Sequence, residues 1–185
     1  MGRLADPLVA MVDIPTLETS RLRLRPYHLD DFEDYAVMWQ DPKVVRFIGG
    51  VPFTREQSWT RFLRQIGLWH HLGFGFFALE DRETGAFAGE CGFHDLRRAV
   101  TPSIEGTMET GWALAAPMQG QGLAEEAVRA AIGWAGEHGK GERLTAIIDP
   151  QNGASLRVAG KLGFAEFARS EYGGHSVVML ERNRR

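Results

Sequence analysis

Gln119-Gly120-Gln121-Gly122-Leu123-Ala124 joins an apolar stretch, Met108 to Leu114, to a segment from Leu123 to Glu137 in which Leu123, Ala127, Ala130 and Trp134 recur on one stripe. Apolar residues at that spacing specify an amphipathic helix, and Glu125 stands one turn before Arg129, placed to pair with it. Small residues at the start of such a helix let backbone N–H groups approach an anion at the positive end of the helix dipole. Two well-defined phosphate motifs do not fit. The Walker pattern needs Gly-Lys followed by Ser or Thr, and the dinucleotide fingerprint needs Gly where Glu125 stands. Glycine also serves simply to permit a tight turn, so the hexapeptide alone leaves a structural role and an anion site both open.

Working outward from this turn, period-two alternation of Leu17, Leu22 and Leu24 with Arg21, Arg23 and Arg25 predicts a first strand ending at Pro26. Phe32, Tyr35, Ala36 and Trp39 predict a helix over 29–40, stopped by Asp41-Pro42. Thr54 and Gln57 form a capping box for a second helix carrying Trp59, Phe62, Leu63 and Ile66, which ends at Gly67 or His71. Strands over 75–79 and 86–93 flank a turn at Glu83-Thr84-Gly85, and 97–107 has the composition of a surface loop. Beyond the central helix the pattern gives a strand at 144–148, a helix at 154–162 closed by Gly163, and strands at 164–167 and 177–180 about Gly173-Gly174. The expected architecture is α/β (α+β): a mixed, mainly antiparallel twisted sheet flanked by helices.

A chain of 185 residues fits one domain, expected over 15–185 after a flexible tail over 1–14. Net charge of -3 gives no electrostatic footprint for nucleic acid, and no apolar run has the length that spans a bilayer, so neither nucleic acid nor membrane is an expected partner. The single cysteine, Cys91, excludes an internal disulfide and fits a reducing, cytoplasmic compartment. Arg182, Asn183, Arg184 and Arg185 read as a frayed, solvated end. His70 and His71 are adjacent and do not share a helix face, so no metal site is expected.

Several pieces in order resemble the GNAT superfamily of N-acetyltransferases, and within it the ribosomal-protein N-terminal acetyltransferase (RimJ/RimL-like) branch. Glu109-Thr110-Gly111-Trp112-Ala113-Leu114 resembles the family's splayed fourth strand. Gln119-x-x-Gly122-x-Ala124 is similar to its Gln/Arg-x-x-Gly-x-Gly/Ala signature. Asn152-x-x-Ser155, followed by Lys161-Leu162-Gly163-Phe164, resembles the branch's later helix, and Leu17-Glu18-Thr19-x-Arg21-Leu22-x-Leu24-Arg25 its first strand. The resemblance covers residues 17 to 181. It implies transfer of an acetyl group from acetyl-CoA to a primary amine, a small molecule or a protein N-terminus, within a ternary complex. It further implies that the backbone at Ala113 and Leu114 pairs with the pantetheine arm, that the N–H groups of Gln119, Gly120, Gln121, Gly122, Leu123 and Ala124 hold the diphosphate, and that Asn152 binds the CoA arm. Homodimerisation is left open.

Alternation along 108–114 puts Glu109 on a face with Gly111, Ala113 and Ala115, where small residues leave room for a ligand, and makes Glu109 the favoured general base. A solvated glutamate on an open sheet face is the bland alternative. Ala86, Ala88, Glu90, Gly92 and His94 are expected to share a face of the neighbouring strand, so Glu90 or His94 could substitute or help. The resemblance makes Ser155 the proton donor to the thiolate; a plain first-turn helix hydroxyl is its other reading. Many GNAT enzymes have a tyrosine five residues before the phenylalanine of Gly163-Phe164, where this chain has Ala159. That departure admits a second reading, a CoA-binding sensor or scaffold without transferase activity. Tyr172 is a weak candidate in a hairpin turn, Cys91 fits inert packing, and Trp69, Phe74, Phe76 and Phe77 could line an acceptor pocket or the core.

Overall fold

The computed structural model describes residues 12–183 and begins with a tight hairpin rather than one strand. β1 (Leu17–Glu18) turns back through Ser20 and Arg21 into β2 (Leu22–Arg25), with Leu17 opposite Leu24. The reversal is local chemistry that alternation does not reveal: Thr19 Oγ1 accepts from the Leu22 N–H at 2.9 Å, and the Thr19 N–H donates to the Leu22 carbonyl at 2.9 Å.

A short 3-10 turn over Leu29–Asp31 leads into α1 (Phe32–Gln40), which stops at Asp41 as its proline neighbour requires. The chain then makes an unexpected turn of helix, α2 (Pro42–Val45). Asp41 accepts from the Lys43 N–H, and proline occupies the first helical position, where its missing N–H costs nothing. α3 (Arg55–Leu72) starts at the expected capping box, with Thr54 accepting from the Gln57 N–H at 3.2 Å and Gln57 accepting from the Thr54 N–H at 2.8 Å. It runs through Gly67 to a left-handed cap at Gly73.

β3 (Phe76–Asp81) and β4 (Phe87–His94) form the expected hairpin, and β5 (Met108–Leu114) follows the loop. A second 3-10 turn, Ala116–Met118, leads through the glycine turn to α4 (Leu123–Glu137). β6 (Arg143–Ile148), α5 (Gly153–Lys161), β7 (Ala165–Tyr172) and β8 (His175–Asn183) complete the chain. The last two strands are longer than expected. β8 carries Arg182 and Asn183, opposite Leu144 and Arg143, so these residues are sheet rather than frayed end. Most of the expected tail over 1–14, and the tip residues Arg184 and Arg185, lie outside the described residues.

Among the described residues eight strands form one sheet in the order β1-β2-β3-β4-β5-β6-β8-β7, in which only the β5–β6 pair is parallel. One face packs against α4 through Leu24, Phe77, Leu79, Cys91, Phe93, Ala127, Ala131 and Trp134. The other lies under α1, α2 and α3 and is filled by Phe32, Tyr35, Trp39, Val45, Phe62 and Ala78. A third cluster, Val100, Ile104, Val177 and Met179, ties the loop before β5 to β8.

Gly89 interrupts the alternation of β4. The register slips between Leu79 and Glu80, and Gly89 adopts φ of 144°, where a Cβ would stand 2.3 Å from the Ala113 carbonyl oxygen. The slip turns Ala88 into the α4-side core and Phe87 toward α1, so Ala88 does not share the face of Glu90 as a strict period of two required. Glu90, Gly92 and His94 keep their common face opposite Ala113, Gly111 and Glu109.

Candidate active site

The site begins where β5 leaves β6. These strands pair only at Met108 with Leu144 and Glu109 with Thr145, and then diverge. The Ala115 N–H donates to the Ala88 carbonyl at 3.0 Å, so alternation turns the backbone groups of Ala113 and Gly111 toward β4 and those of Trp112 and Leu114 toward the gap. Of the two residues expected to offer backbone to a pantetheine arm, Leu114 faces the opening, whereas Ala113 is occupied by its β4 neighbour. Trp112, not singled out from the sequence, joins Leu114. The Leu114 carbonyl already accepts from Gln119 Nε2 at 3.0 Å, which ties the strand's end to the start of the glycine turn.

Gly120 and Gly122 both adopt left-handed backbone, with φ of 77° and 80°, and Gly122 is the N-cap of α4. Having no side chain, it leaves the first-turn N–H groups of the helix free to meet a ligand. The acids of that turn are neutralised. Glu125 meets Arg129 at 2.8 Å, as its spacing predicted, and also Lys161 of α5 at 3.0 Å. Glu126 accepts from the hydroxyl and N–H groups of Ser20 and Arg21 at 2.9 Å each, and from the Arg21 guanidinium. Burial opposes ionisation there, but the bonds from Thr19, Arg21 and Ser20 outweigh it and bring Glu126 down to about 2. Arg21 also donates to the Gln121 carbonyl at 2.9 Å, so the β1–β2 hairpin braces the turn from behind.

Across the gap, Asn152 caps α5 by accepting from the Ser155 N–H at 3.1 Å, which leaves its amide N–H groups for a ligand. Ser155 lines the cleft; Ala159, one turn on, is fully buried in the core. The cleft of about 870 Å³ runs from the glycine turn past Trp112 and Ser155 to Phe76, Glu90, His94 and Glu109, and its far end is closed by Trp39, Lys43 and the segment 46–50. Of the four aromatic candidates only Phe76 lines it, stacked at 5.2 Å on the His94 ring. Trp69 and Phe77 are core residues and Phe74 packs against them.

Glu109 is not the solvated carboxylate of an open face. It is 4% exposed, and Arg98 Nε donates to its two oxygens at 2.9 and 2.7 Å. His94 Nε2 lies 3.1 Å from Oε1, without the alignment of a full hydrogen bond. Burial would raise the Glu109 pKa, but His94 and Arg98 overcome it and hold the carboxyl below its usual value. Burial pushes His94 below the usual imidazole value despite the pull of Glu109, and Arg98 and Arg61 add to the depression. At neutral pH the pair is therefore a carboxylate beside a neutral imidazole. Glu90 differs. It is wholly buried and accepts from Tyr27 at 2.7 Å, Arg61 at 2.7 Å and Gln65 at 3.2 Å, an arrangement that secures α3 to the sheet and leaves it little capacity as a base. Cys91 points into the α4-side core, where burial pushes its thiol far up, as inert packing requires.

Sequence reasoning missed Arg98, which lies in the loop before β5; Tyr172, the weak candidate, stands at the expected hairpin and its ring covers the Arg98 guanidinium at 4.5 Å. No local pattern marks Arg98, because it is brought to Glu109 by long-range packing.

Residues 21–165 match the family model for the acetyltransferase (GNAT) domain. The chain is 32% identical over 153 residues to the Bacillus subtilis (strain 168) protein YkkB, covering 80% of this chain and 83% of that one. A GnaT-family acetyltransferase from Bordetella pertussis superposes with a TM-score of 0.80 at 32% identity, over 91% of this chain and 99% of that chain. RimL, a ribosomal L7/L12 alpha-N-protein acetyltransferase solved in complex with coenzyme A, shares the fold at a TM-score of 0.72 and 18% identity, over 91% and 98% of the two chains.

Proposed function

The chain belongs to the GNAT acetyltransferase family, and on that premise we propose that it transfers an acetyl group from acetyl-CoA to a primary amine, with both substrates bound at once. The observation that carries this reading is one continuous cleft, which joins the gap between β5 and β6 and the free helix end of α4 to the buried Glu109–His94 pair. The cleft suits that donor: Trp112 and the Leu114 N–H offer backbone to an amide-bearing arm, the Gln119–Ala124 turn offers its N–H groups to a diphosphate, except that of Gln119, which donates to the Ala116 carbonyl at 3.3 Å, and the Asn152 amide reaches in from the facing helix. The coenzyme A held by RimL on the same fold supports that choice of donor. Acetyl-CoA supplies an activated acyl carbon as a thioester.

What remains for the protein is two proton movements. As the N–C bond forms and the C–S bond breaks, one proton leaves the nitrogen and one reaches the sulfur. The Glu109–His94 pair serves the nitrogen. Ser155, the α5 hydroxyl lining the cleft where Ala159 offers none, serves the sulfur. The aromatic and cationic far end, from Trp39 to Phe53, receives the acceptor, a small amine or a protein N-terminus.

Thiol release from acetyl-CoA, measured over a panel of amines and N-terminal peptides, tests this. Acceptor-dependent release is the expected result. Calorimetric binding of CoA with no release on any acceptor would instead support a sensor or scaffold, and absence of binding would defeat both readings.

A further inference from the structure

The proposed reaction leaves open which atom takes the proton from the nitrogen, and the geometry points to His94 Nδ1, with Glu109 and Arg98 acting through it as positioning residues. This rests on the transferase reading above. Three observations carry it. Glu109 is held as the ion rather than freed as a base: it is 4% exposed, one Arg98 Nε–H is shared between its two oxygens, and the Tyr172 ring covers the guanidinium at 4.5 Å. His94 turns Nε2 toward Glu109 at 3.1 Å, and that nitrogen is sealed from solvent. A carboxylate beside one ring nitrogen keeps the proton on that nitrogen and leaves the lone pair on the other. The lone pair is therefore on Nδ1, the nitrogen turned away from Glu109.

The ring itself is fixed. It stacks on Phe76 with an interplanar angle of 24°, and Gly111 on the facing strand leaves the space beside its Cε1 edge open, since a Cβ there would stand 2.8 Å from the Phe76 ring and 3.8 Å from that edge. A neutral imidazole so held accepts one proton from the amine nitrogen as the N–C bond forms and returns it to water after the amide leaves. The charged groups facing it are Glu109 from β5, Arg98 from the loop before β5 and Arg61 from α3, with Glu90 on its own strand. Glu90 and Arg61 neutralise one another at 2.7 Å, so Arg98 and Glu109 set the balance.

The test is a titration of the His94 ring by NMR, with its signal identified by loss in His94→Gln, beside pH profiles of kcat/KM. Removing the cation with Arg98→Gln leaves the Glu109 charge unshared, so the His94 titration and the acid limb should move to higher pH by roughly one unit, with partial return in Arg98→Lys. Glu109→Gln should move both the other way. His94→Gln should lower kcat by about a hundredfold or more, with KM for the donor little changed. If His94→Gln keeps wild-type kcat and the acid limb while Glu109→Gln abolishes turnover, Glu109 is the base and the inference is wrong. If neither Arg98→Gln nor Glu109→Gln moves the titration, the positioning roles fail. The NMR shifts are readable without any acceptor, so a failure of the coupling is distinguishable from a failure of the transferase reading.

Discussion

Gly122 and the residues behind it show how much of a ligand site is decided by single positions. Gly122 is left-handed, so a side chain there meets backbone strain, while the Arg21 guanidinium, 3.7 Å from where its Cβ would be, is at ordinary contact distance. Gly122→Asp adds a negative charge at the helix end as well. It should weaken CoA binding at least about tenfold, and calorimetry giving an unchanged Kd would count against the diphosphate role of the turn. Glu126, behind the turn, makes a pH prediction. Its folded-state pKa is depressed from 4.5 to about 2, so its contribution to stability is complete above 4.5 and disappears as pH falls through about 2. In Glu126→Gln the midpoint temperature should be lower at neutral pH and should fall less steeply between those two values. A wild-type slope in that window would show that the Arg21 contact stabilises nothing.

At the scale of elements, the sequence carried most of the fold because the periods were strong and their ends were marked chemically. The capping box at Thr54 and Gln57, the arrest of α1 before Pro42, and the stripe of Leu123, Ala127, Ala130 and Trp134 are local signals, and the helices formed on them. What escaped was set by contacts across the chain. The β1–β2 reversal depends on a Thr19 hydroxyl, and the slip at Gly89 reverses two side chains without altering composition. Glu109 and Ser155 were placed in the cleft by spacing and resemblance, but the Arg98 grip that changes what Glu109 can do comes from a loop with no period at all. The Gly89 bulge yields a prediction at this scale. Gly89→Ala forces a methyl against the Ala113 carbonyl and should destabilise the fold by about 1–3 kcal/mol in urea unfolding. Thr54→Ala, losing only a cap, should cost about 1 kcal/mol. If Gly89→Ala were no worse than Thr54→Ala, the slip would be a soft feature of β4 rather than a requirement of the sheet.

Across the whole molecule, the sheet is one structure with a weak seam. β1 to β5 form one antiparallel run and β6, β8 and β7 another, and they meet through two paired residues of β5 and β6. The α4-side core spans the seam, holding Cys91 and Phe93 of one run with Leu144, Ala146 and Leu180 of the other, and the cleft lies along the same gap. A ligand lying in the cleft touches both runs, Leu114 and the glycine turn on one side and Asn152 and Ser155 on the other. On the proposed reading CoA therefore closes the molecule's least paired line and binds only the folded state. By mass action, CoA at a hundred times its Kd should add about 2.7 kcal/mol of stability. For a chain of this size each kcal/mol raises the midpoint by roughly 2–4 °C, which gives a shift of about 5–11 °C in a thermal melt. The shift should shrink in Gly122→Asp and survive in His94→Gln, because the first alters the grip on the donor and the second only the chemistry. A melt that CoA leaves unmoved at millimolar concentration would mean that the gap between β5 and β6 is not where the donor lies. Equal loss of the shift in both variants would mean that the donor end and the acceptor end of the cleft fold as one unit rather than as separate halves.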